Sequence, residues 1–159
     1  MYKRQDLDPD SLVEKARQSP DMTGLDLAKA VTCREPMLWQ DNSLSSIATG
    51  LPDFQWPEET GSLRIAAMDY GIKYNILRSL EKRGCTILVL PADTDSRTID
   101  RLAPDGLFLS NGPGDPAPVS YAVDMIRHQM GRRPIFGICL GHQLIGLALG
   151  AVSYTHLTL

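Results

Sequence analysis

Four short apolar segments between residues 63 and 139 alternate with segments of helical periodicity, and this alternation limits the fold more than any other feature. The segments are 63–69 (LRIAAMD), 86–91 (TILVLP), 106–112 (GLFLSNG) and a fourth, RRPIFGIC, that ends near Cys139. A strand that is apolar along its whole length is typical of a parallel sheet covered by helices on both faces. The pattern therefore predicts an α/β fold with a parallel sheet.

The segments between and after these strands have helical spacing of apolar residues. The predicted helices cover NILRSLEKRG (75–84), a weaker 96–102, SYAVDMIRHQM (120–130) and LGHQLIGLALG (140–150). Gly84 is expected to close the first of them, because glycine is the preferred residue just past a helix end.

Residues 6–60 have a different character. The segment 11–18 predicts a short helix capped by Asp10 or Ser11, and a second helical pattern follows Thr23. The Pro-, Gly- and Ser-rich stretch that comes next is typical of a connecting segment. We expect it to lie over the outside of a larger unit, with one or two short strands.

Composition excludes several classes of function. The chain has 159 residues and a net charge of −3, which favours neither nucleic acid nor an anionic membrane as a partner. No apolar run reaches the roughly 18 residues of a spanning helix, and the first ten residues do not resemble a secretory signal. The three cysteines, Cys33, Cys85 and Cys139, are widely spaced and predict neither a metal site nor a disulfide framework. A reducing cytoplasm is the expected location.

The loop Ser110–Pro116 (SNGPGDP) directly follows the third predicted strand. In an open parallel sheet, ligands bind beyond the carboxyl ends of the strands. Gly112 and Gly114 allow the backbone to approach a ligand, and the prolines stiffen the loop. A rigid turn without a ligand explains the same residues equally well.

The stretch 137–141 (GICLG) has the layout of a nucleophile elbow with cysteine in place of serine. Cys139 would then lie at the amino end of a helix, where the helix dipole favours the thiolate. The N–H of Leu140 would point toward a developing oxyanion, and the loop near Gly112 would supply a second donor. G-x-C-x-G alone is a weak motif, but its position between strand and helix favours a catalytic thiol over a core thiol.

The histidines do not offer a clear base for this thiol. His142 lies three residues beyond Cys139, and the direction of helical side chains favours a structural role for it. His128 is expected on a solvated helix face, and His156 lies in the tail. Asp69 is expected to cap the helix that follows it. Cys33 and Cys85 have the pattern of ordinary small apolar residues.

Three stretches together resemble a known family. MDYGIKYNILRSLEKRGC, LFLSNGPGDPAP and PIFGICLGHQLIGLALGA are similar to class I (triad) glutamine amidotransferases, which have a Rossmann-like sheet. Within them, the DYGIK stretch and the upstream DPDSLVEKARQSPDMTGLDLAKAVTC resemble the small, glutamine-hydrolysing subunit of carbamoyl-phosphate synthase. The resemblance implies that residues 6–60 end a separate amino-terminal domain with its linker. It also implies that residues 61–151 begin the amidotransferase domain.

The resemblance implies roles for individual residues. Cys139 would attack the carboxamide of L-glutamine, and Gly112, Gly114, Leu140 and Gln143 would line the oxyanion and glutamine site. No metal or cofactor is expected in this chain. The implied partner is the large synthase subunit, where ATP and a divalent metal ion would complete carbamoyl phosphate from ammonia and bicarbonate.

The chain departs from the family pattern at both ends. The family's catalytic histidine and glutamate belong to an H-P-E motif beyond the cysteine, which these 159 residues do not contain, so we expect a truncated domain without efficient turnover. Residues 1–5 and 152–159 are expected to be foreign to the family. Two alternatives remain open: another class I amidotransferase, of the anthranilate or GMP synthesis type, or a non-catalytic scaffold of a synthetase.

Overall fold

The computed structural model describes residues 8–47, 50–57 and 62–152. Within these ranges, six strands form one sheet in the order β2-β1-β4-β3-β5-β6. The strands are β1 (Met37–Gln40), β2 (Ser43–Ser46), β3 (Leu63–Asp69), β4 (Cys85–Pro91), β5 (Gly106–Leu109) and β6 (Ile135–Gly137). The helices are α1 (Pro9–Gln18), α2 (Leu27–Val31), α3 (Tyr74–Glu81), α4 (Ser96–Leu102), α5 (Ser120–Gln129) and α6 (Leu140–Ala148).

The four strands β3 to β6 are parallel, as their continuous apolar character predicts. In the centre of the sheet, Ala66 of β3 pairs with Leu88 of β4 and with Leu107 of β5. Successive residues of these strands face opposite sides, so each side of the sheet carries its own core. The α/β fold and the order of its elements from β3 to α6 are confirmed.

Helices cover the two faces of the sheet. On one face, Met68 and Leu109 pack with the buried side chains of Ile99, Ile126 and Leu144 from α4, α5 and α6. On the other face, smaller in extent, the sheet packs against α3; the buried residues of this face are Trp39, Ala67, Leu77, Ile87, Val89 and Phe108. Burial on both faces is the physical reason for strands without polar alternation.

The sheet is mixed, because the segment expected to be a connector contributes a hairpin. β1 and β2 are antiparallel and joined by a two-residue turn at Asp41 and Asn42, which have φ values of 51° and 60°. Both residues tolerate this left-handed conformation, which a tight hairpin turn requires. β1 also pairs antiparallel with β4, where Trp39 lies opposite Ile87. The parallel sheet predicted for residues 63–139 is therefore extended on this side by two antiparallel strands, which agrees with the one or two short strands expected in the connecting segment.

The rest of the connecting segment lies over the outside, as expected. The indole N–H of Trp56 donates to the carbonyl oxygen of Leu102 at 2.7 Å, and the Phe54 ring packs edge-on against Trp56. The Trp39 N–H donates to Glu81 on α3 at 3.0 Å. The two tryptophans thus attach this segment to the larger unit at separate places. The proposed domain boundary near residue 60 stays a prediction.

Some predicted boundaries were wrong. The first helix begins at Pro9 rather than Ser11, and its cap is Asp8, whose side chain accepts a hydrogen bond from the N–H of Asp10 at 3.2 Å. Proline fits the first helical position because the N–H it lacks would have no partner there. β5 ends at Leu109, three residues before the predicted end, since the glycine loop begins there. Among the described residues, no helix combines the length and apolar character needed to cross a membrane.

Candidate active site

Cys139 occupies a sharp turn between β6 and α6. Its backbone has φ 50° and ψ −112°, and it is the residue that caps the amino end of α6. This conformation is unfavourable for a residue with a side chain and is typical of strained functional turns. The Cys139 residue is exposed. The turn therefore presents the thiol to solvent at the positive end of the helix dipole.

The glycines on either side of Cys139 are required by space. A Cβ atom on Gly137 would lie 2.5 Å from the carbonyl carbon of Gly141, and one on Gly141 would lie 2.6 Å from the carbonyl carbon of Leu109. Real Cβ atoms do not approach backbone so closely. The strand, the turn and the helix can cross at this distance only with glycine at both positions, which explains the G-x-C-x-G spacing.

The glycine loop, residues 110–116, lies against this turn. A Cβ atom on Gly112 would lie 2.7 Å from the Leu140 side chain and 2.9 Å from Cβ of Tyr70. The N–H of Gly141 donates to the carbonyl oxygen of Ser110 at 3.0 Å. Within the described ranges, the N–H groups of Gly112 and Leu140 have no acceptor. The two motifs that the sequence placed at the carboxyl ends of strands are therefore neighbours.

The turn after β3 completes this side of the sheet. Asp69 is nearly buried, and its carboxylate accepts hydrogen bonds from the N–H groups of Gly71, Ile72 and Cys33 at 2.8–2.9 Å. The prediction that Asp69 caps the next helix was wrong, because α3 begins only at Tyr74 and its cap residue is Lys73. Asp69 instead stabilises the loop before the helix.

Asn111 connects the glycine loop to that turn. Its side-chain oxygen accepts from the N–H of Lys73 at 3.2 Å, and its amide group donates to the carbonyl oxygen of Gly71 at 2.8 Å. The buried Ser110 hydroxyl accepts from the N–H of Tyr70 at 2.9 Å. The loops after β3 and β5 are thus hydrogen-bonded into one unit beside the elbow.

The segment 24–33, which includes α2, also lies on this unit, and sequence analysis did not find it. Leu27 contacts the position of a Cβ on Gly114 at 3.2 Å, and the N–H of Gly24 donates to the Asp115 carboxylate at 3.1 Å. In the loop after β3, a Cβ atom on Gly71 would lie 3.1 Å from the side chain of Val31. A connecting segment of ordinary polar and apolar residues carries no local signal for such a contact.

Gln143, a predicted glutamine-binding residue, lies exposed on the first turns of α6. It lines a shallow groove of about 220 Å³ together with His142, Gly146, Leu147, Ala151 and Val152. Cys139, Gly112 and Gly114 are not among the groove residues. The structure therefore brings Gly112 close to Leu140 at the elbow, whereas the roles of Cys139, Gly112, Gly114, Leu140 and Gln143 all stay predictions.

The histidines of the described part do not contact the thiol. His142 is exposed rather than packed, which does not support the structural role expected for it. His128 is about half exposed, as predicted, and its ring lies 3.1 Å from Asp100. His156 falls outside the described residues. Within residues 8–47, 50–57 and 62–152, no histidine is hydrogen-bonded to Cys139, and no cluster of His, Cys, Asp or Glu is arranged to hold a metal ion.

The three thiols have different surroundings. Burial, followed by the nearby Asp69 carboxylate, raises the pKa of Cys33 to about 12. Burial also raises the pKa of Cys85 above its ordinary value. Both are partly buried, whereas Cys139 is exposed. Because the thiolate is the nucleophile, the geometry makes Cys139 the thiol best placed for reaction.

Comparison with known proteins gives the family. The model of the class I glutamine amidotransferases matches residues 66–157, more than half of the chain. This chain belongs to the class I glutamine amidotransferase family. The matched region of the amidotransferase begins in β3 and includes both the glycine loop and the elbow. The resemblance expected from those motifs is confirmed.

Relatives of this amidotransferase include carbamoyl phosphate synthase small chains. That of Syntrophotalea carbinolica is 50% identical over 151 residues, which cover 94% of this chain and 39% of the relative. That of Thermosynechococcus vestitus is 46% identical over 151 residues, covering 93% of this chain and 38% of the relative. The chain thus spans about two fifths of the length of these relatives.

A solved structure is similar to this amidotransferase as well. It is described as a GMP synthase subunit from Thermoplasma acidophilum, with a TM-score of 0.50 and 31% sequence identity. The similarity covers 62% of this chain and 51% of that chain. The solved structure therefore shares the fold over about three fifths of this chain, and the small-chain relatives extend the sequence similarity to residues before β3.

Proposed function

We propose that this chain carries the nucleophile and part of the glutamine site of a carbamoyl-phosphate synthase small subunit. The Cys139 sulfur forms a bond to the carboxamide carbon of L-glutamine, the C–N bond breaks, and the leaving nitrogen takes the proton that the thiol has given up and departs as ammonia. The resulting glutamyl thioester is hydrolysed by water to glutamate and free thiol. Nucleophilic catalysis of this kind replaces one difficult step by two easier ones.

One observation supports this reaction most directly. The exposed Cys139 lies in a strained turn at the start of α6, followed by Leu140, against whose side chain Gly112 packs. The N–H groups of Leu140 and Gly112 have no acceptor in the described part of the chain. Backbone N–H groups of this kind stabilise the oxyanion that forms when a thiolate attacks an amide. A strained backbone at a residue that has a side chain is typical of functional sites. The conformation of Cys139 therefore favours a chemical role for this residue over a packing role.

The fate of the ammonia is the second part of the proposal. Ammonia passes to a large synthase subunit, where ATP, a divalent metal ion and bicarbonate complete carbamoyl phosphate for pyrimidine and arginine synthesis. The names of the relatives at 46–50% identity support this partner over the synthetases for anthranilate or GMP. We place the reaction in the cytoplasm, where a reducing environment keeps Cys139 as a thiol.

Alkylation by a glutamine-like electrophile, 6-diazo-5-oxo-L-norleucine, tests the proposal. The reagent needs a glutamine site and a nucleophilic thiol, so it reads out the first step without complete turnover. We expect saturable labelling of Cys139, found by peptide mass spectrometry, with protection by L-glutamine. Cys33 and Cys85 serve as controls within the same molecule, and Cys139→Ser removes the labelled peptide.

A scaffold without a glutamine site would behave differently. Cys139 would then react with iodoacetamide, a general thiol reagent, but the glutamine analogue would show neither saturation nor protection by glutamine. That result would contradict the proposed function. Labelling by iodoacetamide alone does not distinguish the two, because exposure is sufficient for it.

A further inference from the structure

The carboxyl end of the glycine loop is attached to a distant part of the chain by one side chain. Asp115 is 9% exposed, and its carboxylate accepts two backbone hydrogen bonds. One comes from the N–H of Ala117 within the same turn at 2.9 Å. The other comes from the N–H of Gly24, which is 91 residues away in sequence, at 3.1 Å. The loop is thereby connected to the segment 24–33.

The segment 24–33 is a fixed support because it has attachments of its own. The Thr32 hydroxyl accepts from the N–H of Ala92 at 2.8 Å, and the N–H of Cys33 donates to Asp69 at 2.8 Å. The Tyr121 hydroxyl lies 3.3 Å from the Asp26 carboxylate. These contacts reach β3, the end of β4 and α5 and do not involve the glycine loop. A loop bonded to this segment is therefore held relative to the sheet.

Between Asn111 and Asp115, the loop is held by the packing of Gly112 against Tyr70 and Leu140 and not by hydrogen bonds among the described residues. Within Gly112–Pro113–Gly114 there is no side chain that can form a hydrogen bond, and Gly114 has φ +87°, a conformation that glycine adopts freely. In the described part of the chain, the N–H groups of Gly112 and Gly114 have no acceptor. Their directions depend on the anchors at Asn111 and Asp115.

We propose that Asp115 is a positioning residue for glutamine binding: its bond to Gly24 holds the glycine loop in the conformation that receives the substrate beside Cys139. This inference rests on the proposed function. Leu27 assists by packing against Gly114 from the same segment. Asp115 itself acts through the backbone N–H groups of the loop that it orients.

Saturation kinetics of alkylation test the role of Asp115. Cys139 labelling is measured in the wild-type chain and in Asp115→Asn over a range of 6-diazo-5-oxo-L-norleucine concentrations. Loss of a hydrogen bond to a charged acceptor is expected to raise the half-saturating concentration about tenfold. The limiting rate and the iodoacetamide rate should change less than about twofold, because the elbow is stabilised by separate contacts.

Two further variants separate positioning from folding. Leu27→Ala weakens the same support without removing a polar group, and the half-saturating concentration should rise here too. Asp93→Asn is the matched control, since Asp93 pairs with Lys29 of α2 at 3.4 Å but lies away from the loop and is half exposed. It should behave as the wild type. Thermal unfolding curves verify that each variant is folded.

The outcomes distinguish this proposal from the one on which it rests. A wild-type chain without saturable labelling would contradict the proposed function and the role of Asp115 together. Saturable labelling that is unchanged in Asp115→Asn and Leu27→Ala would overturn the role of Asp115 alone. Equal slowing by both reagents in Asp115→Asn would also overturn it, because that pattern indicates a general distortion of the elbow.

Discussion

The two halves of the candidate site obtain their shape in different ways. The elbow, residues 137–141, is determined by close contacts among its own glycines and the adjacent β5. The glycine loop, residues 110–116, depends on side chains that bind other segments, with partners 38 residues away for Asn111 and 91 residues away for Asp115. The elbow is thus specified by steric exclusion, whereas the loop, apart from the closely packed Gly112, is specified by hydrogen bonds.

This difference has a consequence for substitution. A turn specified by exclusion tolerates no added atom, and its partner, Leu109, lies on a central strand of the sheet that cannot move aside. A loop specified by hydrogen bonds tolerates moderate changes, and it responds to changes far away in sequence. A single substitution in the elbow should therefore lower the free energy of unfolding more than one in the loop. The following variants test this, from the largest expected effect to the smallest.

The largest effect is expected for Gly141→Ala. The new Cβ would meet the backbone of Leu109 in β5, which cannot move without breaking the sheet, so the free energy of unfolding should fall by about 3 kcal/mol or more. Gly146→Ala in the same helix is the matched control, because its Cβ would lie at an ordinary 3.7 Å from Ala151. It should raise stability by up to about 1 kcal/mol. Urea unfolding measures both, and equal effects would contradict steric exclusion at the elbow.

The strained backbone at Cys139 predicts that glycine at this position is more stabilising than alanine. Cys139→Gly should be more stable than Cys139→Ala by about 2 kcal/mol, because only glycine adopts φ 50° with ψ −112° at low cost. Both variants remove the thiol, so their difference measures the backbone alone. Thermal or urea unfolding gives the comparison. Equal stability of the two variants would show that the turn relaxes without cost.

A smaller loss is expected when the loop loses an anchor. Asn111→Ala removes the bonds to Lys73 and Gly71, and the free energy of unfolding should fall by about 1 kcal/mol. Asn75→Ala, which removes an exposed bond to Arg78, should change it by less than about 0.5 kcal/mol. A loss for Asn111→Ala as large as that for Gly141→Ala would contradict the contrast between loop and elbow.

The smallest change in stability is expected for the ion pair between Arg64 and Asp105, which lies at the amino ends of β3 and β5, away from the candidate site. The Arg64 guanidinium donates two bonds to Asp105, at 3.0 and 2.9 Å, and these hydrogen bonds together with one from the Arg64 backbone lower the pKa of Asp105 to about 2. Because its pKa is lower in the folded chain, Asp105 contributes to the free energy of unfolding at pH values above 3.8, the ordinary pKa of its carboxyl group. This contribution is lost as the pH falls through about 2. The pair is partly exposed, so the contribution is small.

Asp105→Asn tests that contribution. Between about pH 5 and pH 2, the wild-type chain should lose slightly more stability than the variant, because only the wild type has this carboxylate to protonate. Unfolding curves at each pH measure the difference. An identical pH dependence of the two would contradict the lowered pKa. Neither the elbow nor the glycine loop is involved. The ratio of the Cys139 alkylation rate with the glutamine analogue to that with iodoacetamide should therefore be the same in Asp105→Asn and in the wild type.

The alternation of strands and helices could be predicted because each element depends on residues a few positions apart. The runs 63–69 and 86–91 were placed within one residue, and the elbow at Cys139 was found from the spacing of its glycines. Boundaries were wrong where a neighbouring structure determines the end, as at Leu109, where the loop leaves the sheet. The hairpin at Asp41 and Asn42 was expected only as one or two short strands, because its pairing with β4 has no local signal.

The sequence by itself determined which residues form β3 to α6 and where a thiol meets the start of a helix. Only the tertiary structure decided that Gly24 reaches Asp115, that Val31 packs on Gly71 and that Asp69 holds a loop rather than a helix. The reason is physical: backbone preferences and the periodicity of apolar residues act within a few residues, whereas those contacts exist only after the packing of helices on the sheet brings distant segments together.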